Sequence, residues 1–135
     1  MVERQIARRG VQDPRVLAAL ASVPREAFVS RELRPLAYDD APLPIGDGQT
    51  ISQPFIVAFT AQALQLTPDD CVLDVGTGSG YAAAVLSRLV REVYGVERVE
   101  SLCRSAGERL AELGYDNVHV RCGDGTLGWP EHAPF

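Results

Sequence analysis

The second half of the chain alternates short apolar runs with segments in which apolar residues recur at helical spacing. Three runs of apolar or β-branched residues, each ended by glycine or polar residues, predict strands at 71–75, 92–97 and 117–122. Between them, helical spacing predicts one helix from about Ser79 to Val90 and another that stops at Gly114. Strands about 20 residues apart with a helix between each pair favour a parallel sheet with right-handed crossovers. The predicted fold class is therefore α/β.

The first half of the chain predicts helices followed by a long loop. A short helix ends at Gly10, and a second begins at Pro14 behind the N-cap Asp13, with Val16, Leu17 and Leu20 facing inward. Prolines, glycines and aspartates leave 36–53 without helical or strand periodicity, so we expect a long structured loop there.

A third helix is expected from Pro54, with Ser52 as its N-cap. On spacing alone, capping is the better explanation of Ser52. The inward face of this helix is predicted to consist of six apolar residues: Phe55, Ile56, Ala58, Phe59, Ala63 and Leu64.

Composition and charge favour a globular domain with a single core over a nucleic-acid-binding, membrane or secreted protein. With 135 residues, 46% of them hydrophobic, the chain can bury one core. A net charge of −5 without a long run of one sign gives no support for a nucleic-acid or anionic-membrane surface. The N-terminus lacks the apolar core of a signal peptide, and no segment is long enough to span a membrane. Three cysteines without a CxxC pair predict buried free thiols in a reducing cytoplasm; they are Cys71, Cys103 and Cys122.

Acidic residues and glycines follow each predicted strand, at the edge where open parallel sheets bind ligands. The first strand leads into Asp74 and the turn G-T-G-S-G, the second ends in Glu97, and the third ends in Asp124 and Gly125. A strand, a tight glycine turn and a helix start form a cradle that offers unpaired N–H groups to a ligand. Glu97 can accept from both hydroxyls of a ribose, and Asp124 can accept from the exocyclic amine of adenine.

The spacing of Gly76, Gly78 and Gly80 distinguishes between nucleoside cofactors. A dinucleotide site prefers G-x-G-x-x-G, whose second glycine admits a pyrophosphate, whereas this turn reads G-x-G-x-G. Asp74 would repel a phosphate and attract an ammonium group. These features favour S-adenosylmethionine over NAD. The alternative is that Glu97 and Asp124 are only solvated loop acids.

These motifs resemble the protein-L-isoaspartate O-methyltransferases of bacterial type. The sequence G-Q-T-I-S-Q-P at 48–54 is specific to that family, whereas G-x-G-x-G at 76–80 is shared by many methyltransferases. Further matches cover nearly the whole chain, at 42–46, 72–75, 114–118 and 123–125. The resemblance implies a Rossmann-like S-adenosylmethionine-dependent methyltransferase fold. In it, residues 1–53 form an N-terminal helical cap with a substrate and cofactor loop, and residues 54–135 form the N-terminal half of the catalytic domain, in one structural unit overall.

The resemblance also implies the reaction and its residues. A methyl group passes from S-adenosylmethionine to the free α-carboxylate of an L-isoaspartyl residue in a damaged protein, without a metal, as a step of protein repair in the cytoplasm. Because that carboxylate is already ionised at neutral pH, catalysis is mostly positioning and desolvation. Ser52 is implied as the catalytic residue that holds the substrate carboxylate, beside Thr50 and Ile51. Four more loop residues are implied to border the cofactor: Gly46, Asp47, Gly48 and Gln49.

The sequence ends where the family continues into a fourth strand. An incomplete sheet would leave the first strand as an open edge, and we expect a truncated member of the family. Two function classes stay open. One is the enzyme acting on isoaspartyl peptides and proteins; the other is a catalytically impaired S-adenosylmethionine-binding or assembly module that self-associates through the open edge.

Overall fold

The computed structural model describes all 135 residues and contains four α-helices and two sheets. The helices are α1 (Pro14–Ser22), α2 (Pro54–Ala63), α3 (Tyr81–Ser87) and α4 (Glu100–Glu112). The strands are β1 (Leu43–Gly46), β2 (Gln49–Ile51), β3 (Cys71–Val75), β4 (Glu92–Glu97) and β5 (Val118–Cys122). Short π- or 3₁₀-helical turns lie at Val2–Ile6, Ala7–Arg9, Arg25–Phe28, Arg31–Leu36, Gly125–Leu127 and Pro130–His132. None of the helices has the length and apolar character that crossing a membrane requires.

The larger sheet confirms the predicted α/β class. Its strands are parallel in the order β3-β4-β5, with Val75 opposite Val96 and Glu97 opposite Cys122. β3 and β4 are each followed by an α-helix, and both connections advance in the same direction across the sheet. Because such crossovers are right-handed as a rule, α3 and α4 are expected on one face. The outer side of β3 has no neighbouring strand, as predicted.

One hydrophobic core joins the N-terminal helices to the helix-bearing face of the sheet. Ile6, Leu20 and Phe28 from the first segment and Tyr81 and Val93 from the second are each at most 1% exposed and belong to the same cluster. The Phe28 and Tyr81 rings meet edge to face, with centroids 5.6 Å apart. Burial of each such large apolar side chain contributes about 1.5–3 kcal/mol. The helical cap is therefore packed on the sheet and shares its core.

The opposite face of the sheet carries an aromatic cluster around Tyr94. Its ring stacks on His132 at 4.1 Å and on His119 at 5.1 Å between centroids, and meets Trp129 edge to face at 5.3 Å. Residues from the C-terminal turns thus cover part of the face that carries no helix.

The N-terminal helical signals are confirmed. Gly10 ends the first turns with φ 102°, and the Asp13 side chain accepts from Arg15 N at 2.9 Å at the start of α1. The buried face of α1 consists of Val16, Ala19 and Leu20, whereas the predicted Leu17 is only half-buried.

The expectation of a loop without strands at 36–53 is wrong, because β1 and β2 form an antiparallel hairpin within it. The hairpin tip has left-handed backbone angles: Gly46 has φ 96° and Gly48 has φ 72°, with Asp47 between them at φ 53°. Strands of four and three residues, one of them containing Pro44, are too short to show a period-2 pattern. The hairpin therefore left no recognisable signal in the sequence.

The expectation that Ser52 caps α2 is also wrong. The N-cap position is Gln53, and no local side chain caps the helix. Asp40 does so from a distant part of the chain: its Oδ1 accepts from Phe55 N at 3.0 Å and its Oδ2 accepts from Gln53 Nε2 at 2.9 Å. A tertiary carboxylate replaces the local serine as the acceptor at the helix N-terminus.

The predicted inward face of α2 is largely wrong as well. Val57, Ala58 and Ala61 are buried, whereas Ile56 is 48% exposed and Phe59 is 54% exposed. Apolar residues surround most of the circumference of α2, so helical periodicity could not select the face that packs.

The cysteines are not three free thiols. Cys103 on α4 and Cys122 at the end of β5 form a disulfide, with Cα atoms 5.5 Å apart, and only Cys71 is free. The two partners are distant in sequence and become neighbours only because α4 packs on β5. Cysteine spacing could not show this pairing.

Candidate functional site

The turn between β3 and α3 is built on glycines with positive φ. Gly76, Gly78 and Gly80 have φ angles of 80°, 56° and 93°, which residues with a Cβ rarely adopt. Gly76 N donates to Val96 O at 2.8 Å and fixes the turn to the sheet. A Cβ on Gly80 would lie 3.0 Å from Leu110 Cδ1, so the turn also packs closely on α4. The predicted strand, turn and helix start are present.

The β1–β2 hairpin lies over this turn. Ile45 Cδ1 would be only 3.3 Å from a Cβ on Gly78, and two cavities separate the hairpin from the turn elsewhere. A cavity of about 50 Å³ lies between Thr50, Ile51 and Ser52 and the residues from 76 to 79. A second cavity, of about 220 Å³, extends from Gln49 and Thr50 past the turn to the end of β4. The structure therefore brings the family-specific motif and the glycine turn face to face.

Asp74 places a buried carboxyl oxygen without a partner next to the turn. Its Oδ2 is inaccessible to solvent and accepts no hydrogen bond. The pKa of Asp74 is raised to about 6, chiefly by burial and also by the nearby Glu97 carboxylate, while a hydrogen bond from Thr77 opposes the rise. Buried polar atoms are normally paired. A cationic donor would supply the missing partner and favour the charged form.

Glu97 closes the other side of the glycine turn. The residue is 6% exposed, its Oε1 accepts from Gly78 N at 2.8 Å, and its Oε2 accepts from Val99 N at 2.9 Å. A carboxylate has about four acceptor positions, so each oxygen keeps capacity for another donor. Because Glu97 lines the 220 Å³ cavity, it both holds the turn in place and presents acceptors to a ligand.

Asp124 lies at the exposed edge of the sheet and outside both cavities. Its Oδ1 accepts from Thr126 N at 2.9 Å and from Thr126 Oγ1 at 2.7 Å, and these bonds lower the pKa of Asp124. A Cβ on Gly125 would overlap Val75 Cγ1, so the end of β5 meets the end of β3. The strand ends converge as expected, whereas the contact of Asp124 with adenine stays a prediction.

Two of the four loop residues expected to border the cofactor lie away from the glycine turn. Asp47 and Gly48 form the exposed hairpin tip, where Asp47 Oδ2 accepts from Ser101 Oγ at 2.7 Å. Gly46 lines a cavity of about 440 Å³ that is also bordered by Ser79 of the glycine turn and extends between the helical cap and α4. Gln49 lines the 220 Å³ cavity on the other part of the turn. The cofactor role of all four residues stays a prediction.

Ser52 lies on the hairpin side of the smaller cavity. Because Asp40 serves α2 as its acceptor, the Ser52 hydroxyl is not required for capping. It faces the glycine turn from an exposed position and is available to another partner.

Arg25 lies against Tyr81, which lines the smaller cavity, and no sequence pattern indicated either position. Arg25 is fully buried; its Nη2 donates to Ala41 O at 3.2 Å and its guanidinium lies 4.8 Å above the Tyr81 ring. Burial lowers the pKa of Arg25. Tyr81 lines the smaller cavity, and its hydroxyl is buried without a partner. An arginine in a short polar turn normally lies in solvent, so no pattern pointed to it.

Comparison with known proteins identifies the family. The model of the Protein-L-isoaspartate(D-aspartate) O-methyltransferase family matches residues 1–135. The chain belongs to this family. Its membership confirms the resemblance found in the loop and turn motifs.

Two curated bacterial relatives show the extent of the match. The chain is 63% identical to protein-L-isoaspartate O-methyltransferase 2 of Pelobacter propionicus, with all of the chain and 60% of that relative aligned. It is 62% identical to the protein-L-isoaspartate O-methyltransferase of Protochlamydia amoebophila, again over the whole chain and 64% of the relative. The chain thus spans about three fifths of the length of these relatives.

Solved structures confirm the methyltransferase fold. A protein-L-isoaspartate O-methyltransferase structure superposes with a TM-score of 0.89 at 34% identity, covering all of this chain and 46% of that one. A Plasmodium falciparum beta-aspartate methyltransferase, in complex with S-adenosyl-L-homocysteine, superposes with a TM-score of 0.76 at 27% identity over 90% of this chain and 61% of that one.

Proposed function

We propose that the protein transfers a methyl group from S-adenosylmethionine to the α-carboxylate of L-isoaspartyl residues in damaged proteins. Family membership supports the reaction class. The observation that carries the proposal is the packing of the hairpin motif, from Gln49 to Ser52, against the glycine turn across two cavities. This arrangement supports a substrate loop that faces a cofactor turn.

The residues at the turn fit the proposed cofactor. Asp74 offers an unpartnered buried oxygen for its ammonium group, and Glu97 retains acceptor positions for its ribose hydroxyls. Two neighbouring carboxylates would repel a pyrophosphate, which argues against a dinucleotide. The S-adenosyl-L-homocysteine complex of the Plasmodium falciparum relative supports the same choice. When bound, S-adenosylmethionine supplies a methyl group on a sulfonium that is already a good leaving group.

The chain's own residues would act by positioning. The substrate carboxylate is ionised at neutral pH and needs no general base. Ser52 would donate its hydroxyl hydrogen to that carboxylate, while Thr50 and Ile51 hold the adjoining substrate backbone. Orienting the reactants and removing water from them are then the main sources of rate acceleration.

Methyl transfer from labelled S-adenosylmethionine to an isoaspartyl peptide tests the proposal directly. The matched control is the same peptide with a normal aspartate. We expect base-labile methyl ester on the isoaspartyl peptide only. Equal labelling of both peptides, or labelling of neither by a chain that binds S-adenosylhomocysteine, would contradict the proposed reaction.

Replacement of Ser52 by alanine is expected to lower kcat/KM for the isoaspartyl peptide about tenfold or more. A hydrogen bond to a charged group contributes about 1.5–3 kcal/mol, and 1.4 kcal/mol corresponds to tenfold. The affinity for S-adenosylhomocysteine, measured by calorimetry, should stay within about twofold. Ser22→Ala on α1 is the control, because the Ser22 hydroxyl donates to Ala19 O within the same helix and lines neither cavity. Unchanged methylation by Ser52→Ala at saturating cofactor would remove Ser52 from the mechanism.

A second candidate is a module that binds the cofactor or assembles without turnover. The open edge of β3 favours it, together with the exposed apolar side chains of Ile56, Phe59 and Val75. This candidate predicts binding of S-adenosylhomocysteine without methyl transfer, and self-association detectable by sedimentation. Methyl transfer by a monomeric chain would exclude it.

The cytoplasmic location stays a proposal. Cysteine usage no longer supports it, because two of the three cysteines are paired. Isoaspartyl peptides and proteins are the proposed partners.

A further inference from the structure

The Cys103–Cys122 disulfide joins two elements that frame the proposed cofactor site. Cys103 lies in the first turns of α4 and is 4% exposed, whereas Cys122 is the last residue of β5 and is exposed. Cys122 is therefore the more exposed residue of the pair, and it is the partner at which we expect a reagent from solvent to attack.

One end of the cross-link, α4, contacts three parts of the site. Arg109 Nη1 donates to Ser79 O in the glycine turn at 2.8 Å, and Ser101 Oγ donates to Asp47 Oδ2 at the hairpin tip at 2.7 Å. Just before α4, Val99 N donates to Glu97 Oε2 at 2.9 Å. A change in the position of α4 would therefore move the turn, the hairpin and Glu97 together.

The other end of the cross-link, β5, is in register with the same carboxylate residue. Cys122 lies opposite Glu97 in the parallel pairing, and Gly123 N donates to Glu97 O at 3.0 Å. Asp124 follows directly. The disulfide thus fixes α4 to the strand end that carries the expected adenine contact.

We propose that the Cys103–Cys122 pair is a redox-responsive modification site that sets the affinity of the chain for its nucleoside cofactor. This inference rests on the proposed function. In the oxidised form the cross-link holds α4 and the end of β5 in the binding arrangement. Such pre-organisation strengthens binding because less ordering remains to be done when the ligand arrives.

The modification is a thiol–disulfide exchange with a dithiol reductant. A thiolate of the reductant attacks Cys122 Sγ, the bond between Cys122 and Cys103 breaks, and Cys103 leaves as a thiolate that takes up a proton. The second thiol of the reductant then attacks the mixed disulfide and releases Cys122 as a thiol. Two electrons pass to the protein, and the reductant is left as a cyclic disulfide.

Cys71 provides an internal control. It lies at the start of β3, at the opposite end of the strands from the glycine turn, and its Sγ accepts from Arg91 Nη2 at 3.2 Å. Modification of Cys71 should leave the cofactor site unchanged.

Calorimetric titration of S-adenosylhomocysteine into the full chain, before and after dithiothreitol treatment, tests the proposal. We expect reduction to raise Kd about three- to tenfold, since flexible groups must then be ordered on binding. Alkylation followed by mass spectrometry should label only Cys71 in the oxidised chain and all three cysteines in the reduced chain. Circular dichroism identifies a temperature at which both forms keep the same secondary structure.

Two variants complete the design. The double variant Cys103→Ser/Cys122→Ser should bind like the reduced chain and ignore dithiothreitol, whereas Cys71→Ser should keep the full response. Alkylation of all three cysteines without reductant, or equal Kd values in the two redox states, would overturn the redox proposal alone. An oxidised chain that carries the disulfide and does not bind S-adenosylhomocysteine would overturn the proposed function as well.

Discussion

Glu97→Ala is expected to weaken binding of S-adenosylhomocysteine at least about 100-fold, because each of the two proposed hydrogen bonds from ribose hydroxyls to its carboxylate contributes about 1.5–3 kcal/mol. The substitution should also weaken the glycine turn, which lowers the affinity further. The Glu97 carboxylate also accepts from Gly78 N and Val99 N, so its removal leaves both donors without their partner and loosens the glycine turn. Calorimetry gives the affinity, and urea denaturation gives the accompanying loss of stability.

Two further variants test whether the charge of Glu97 is required and whether the effect is specific to this position. Glu97→Gln keeps the side-chain length, but its amide nitrogen cannot accept a hydrogen bond, so an intermediate loss of affinity is expected. Glu92→Ala removes a carboxylate from the other end of the same strand and should bind S-adenosylhomocysteine like the unaltered chain. If folded Glu97→Ala protein binds within threefold of the unaltered chain, Glu97 is not the ribose acceptor.

Sequence patterns predicted the parts of this fold that depend on local chemistry. The three strands of the parallel sheet, the Asp13 cap and the glycine turn all follow from residues adjacent in sequence, where propensity and backbone conformation decide the outcome. The position of Glu97 beside the turn followed from one further rule: parallel strands bring their carboxyl ends to one edge. That rule places strand ends, but it does not say which atoms they contact.

Local sequence patterns could not predict features that depend on contacts between distant parts of the chain. Asp40 caps α2 across the first half of the chain, so Ser52 looked like the cap although its hydroxyl is not used there. The buried face of α2 is determined by the residues that pack against it, because apolar side chains surround most of the helix. The β1–β2 hairpin is held over the glycine turn by contacts such as that of Ile45 with Gly78, not by strand propensity.

The disulfide and the buried arginine also arise from contacts between distant segments of the chain. Cys103 and Cys122 become neighbours only when α4 lies on β5, and Arg25 enters the core only because Tyr81 and Ala41 O receive it. Both reach their positions through packing between distant segments. Local patterns could therefore nominate candidate binding residues, but they could not identify the groups that pack around them.

Asp74→Asn is expected to stabilise the ligand-free protein at pH 8 by up to about 3 kcal/mol, which is the energy equivalent of a pKa raised from 3.8 to about 6. Between these two pKa values the folded chain keeps a proton on Asp74 that the unfolded chain has released. Stability therefore falls as pH rises through this window, and the loss is complete above pH 6. Asparagine carries no charge at any pH, so the variant avoids this penalty. Urea denaturation at pH 5 and pH 8 should show the gain mainly at pH 8.

Although Asp74→Asn should stabilise the ligand-free protein, it is expected to weaken binding of S-adenosylhomocysteine. An ammonium group binds the ionised carboxylate, so the affinity of the unaltered chain for S-adenosylhomocysteine should rise between pH 5 and pH 7. Asp74→Asn should abolish this rise and bind at least about tenfold more weakly at pH 8, because a charge-assisted hydrogen bond is replaced. Calorimetry at the two pH values measures both effects.

Asp124→Asn is a control variant in which the expected change in stability at pH 8 is opposite to that of Asp74→Asn. Hydrogen bonds from Thr126 lower the pKa of Asp124, so its charged form stabilises the folded state at neutral pH, and that contribution is lost as pH falls from the unfolded pKa through the lower folded pKa. Its asparagine variant should therefore lose stability at pH 8, where Asp74→Asn gains it. If Asp74→Asn is no more stable than the unaltered chain at pH 8, the buried oxygen of Asp74 is already satisfied, and the ammonium contact assigned to it loses its physical basis.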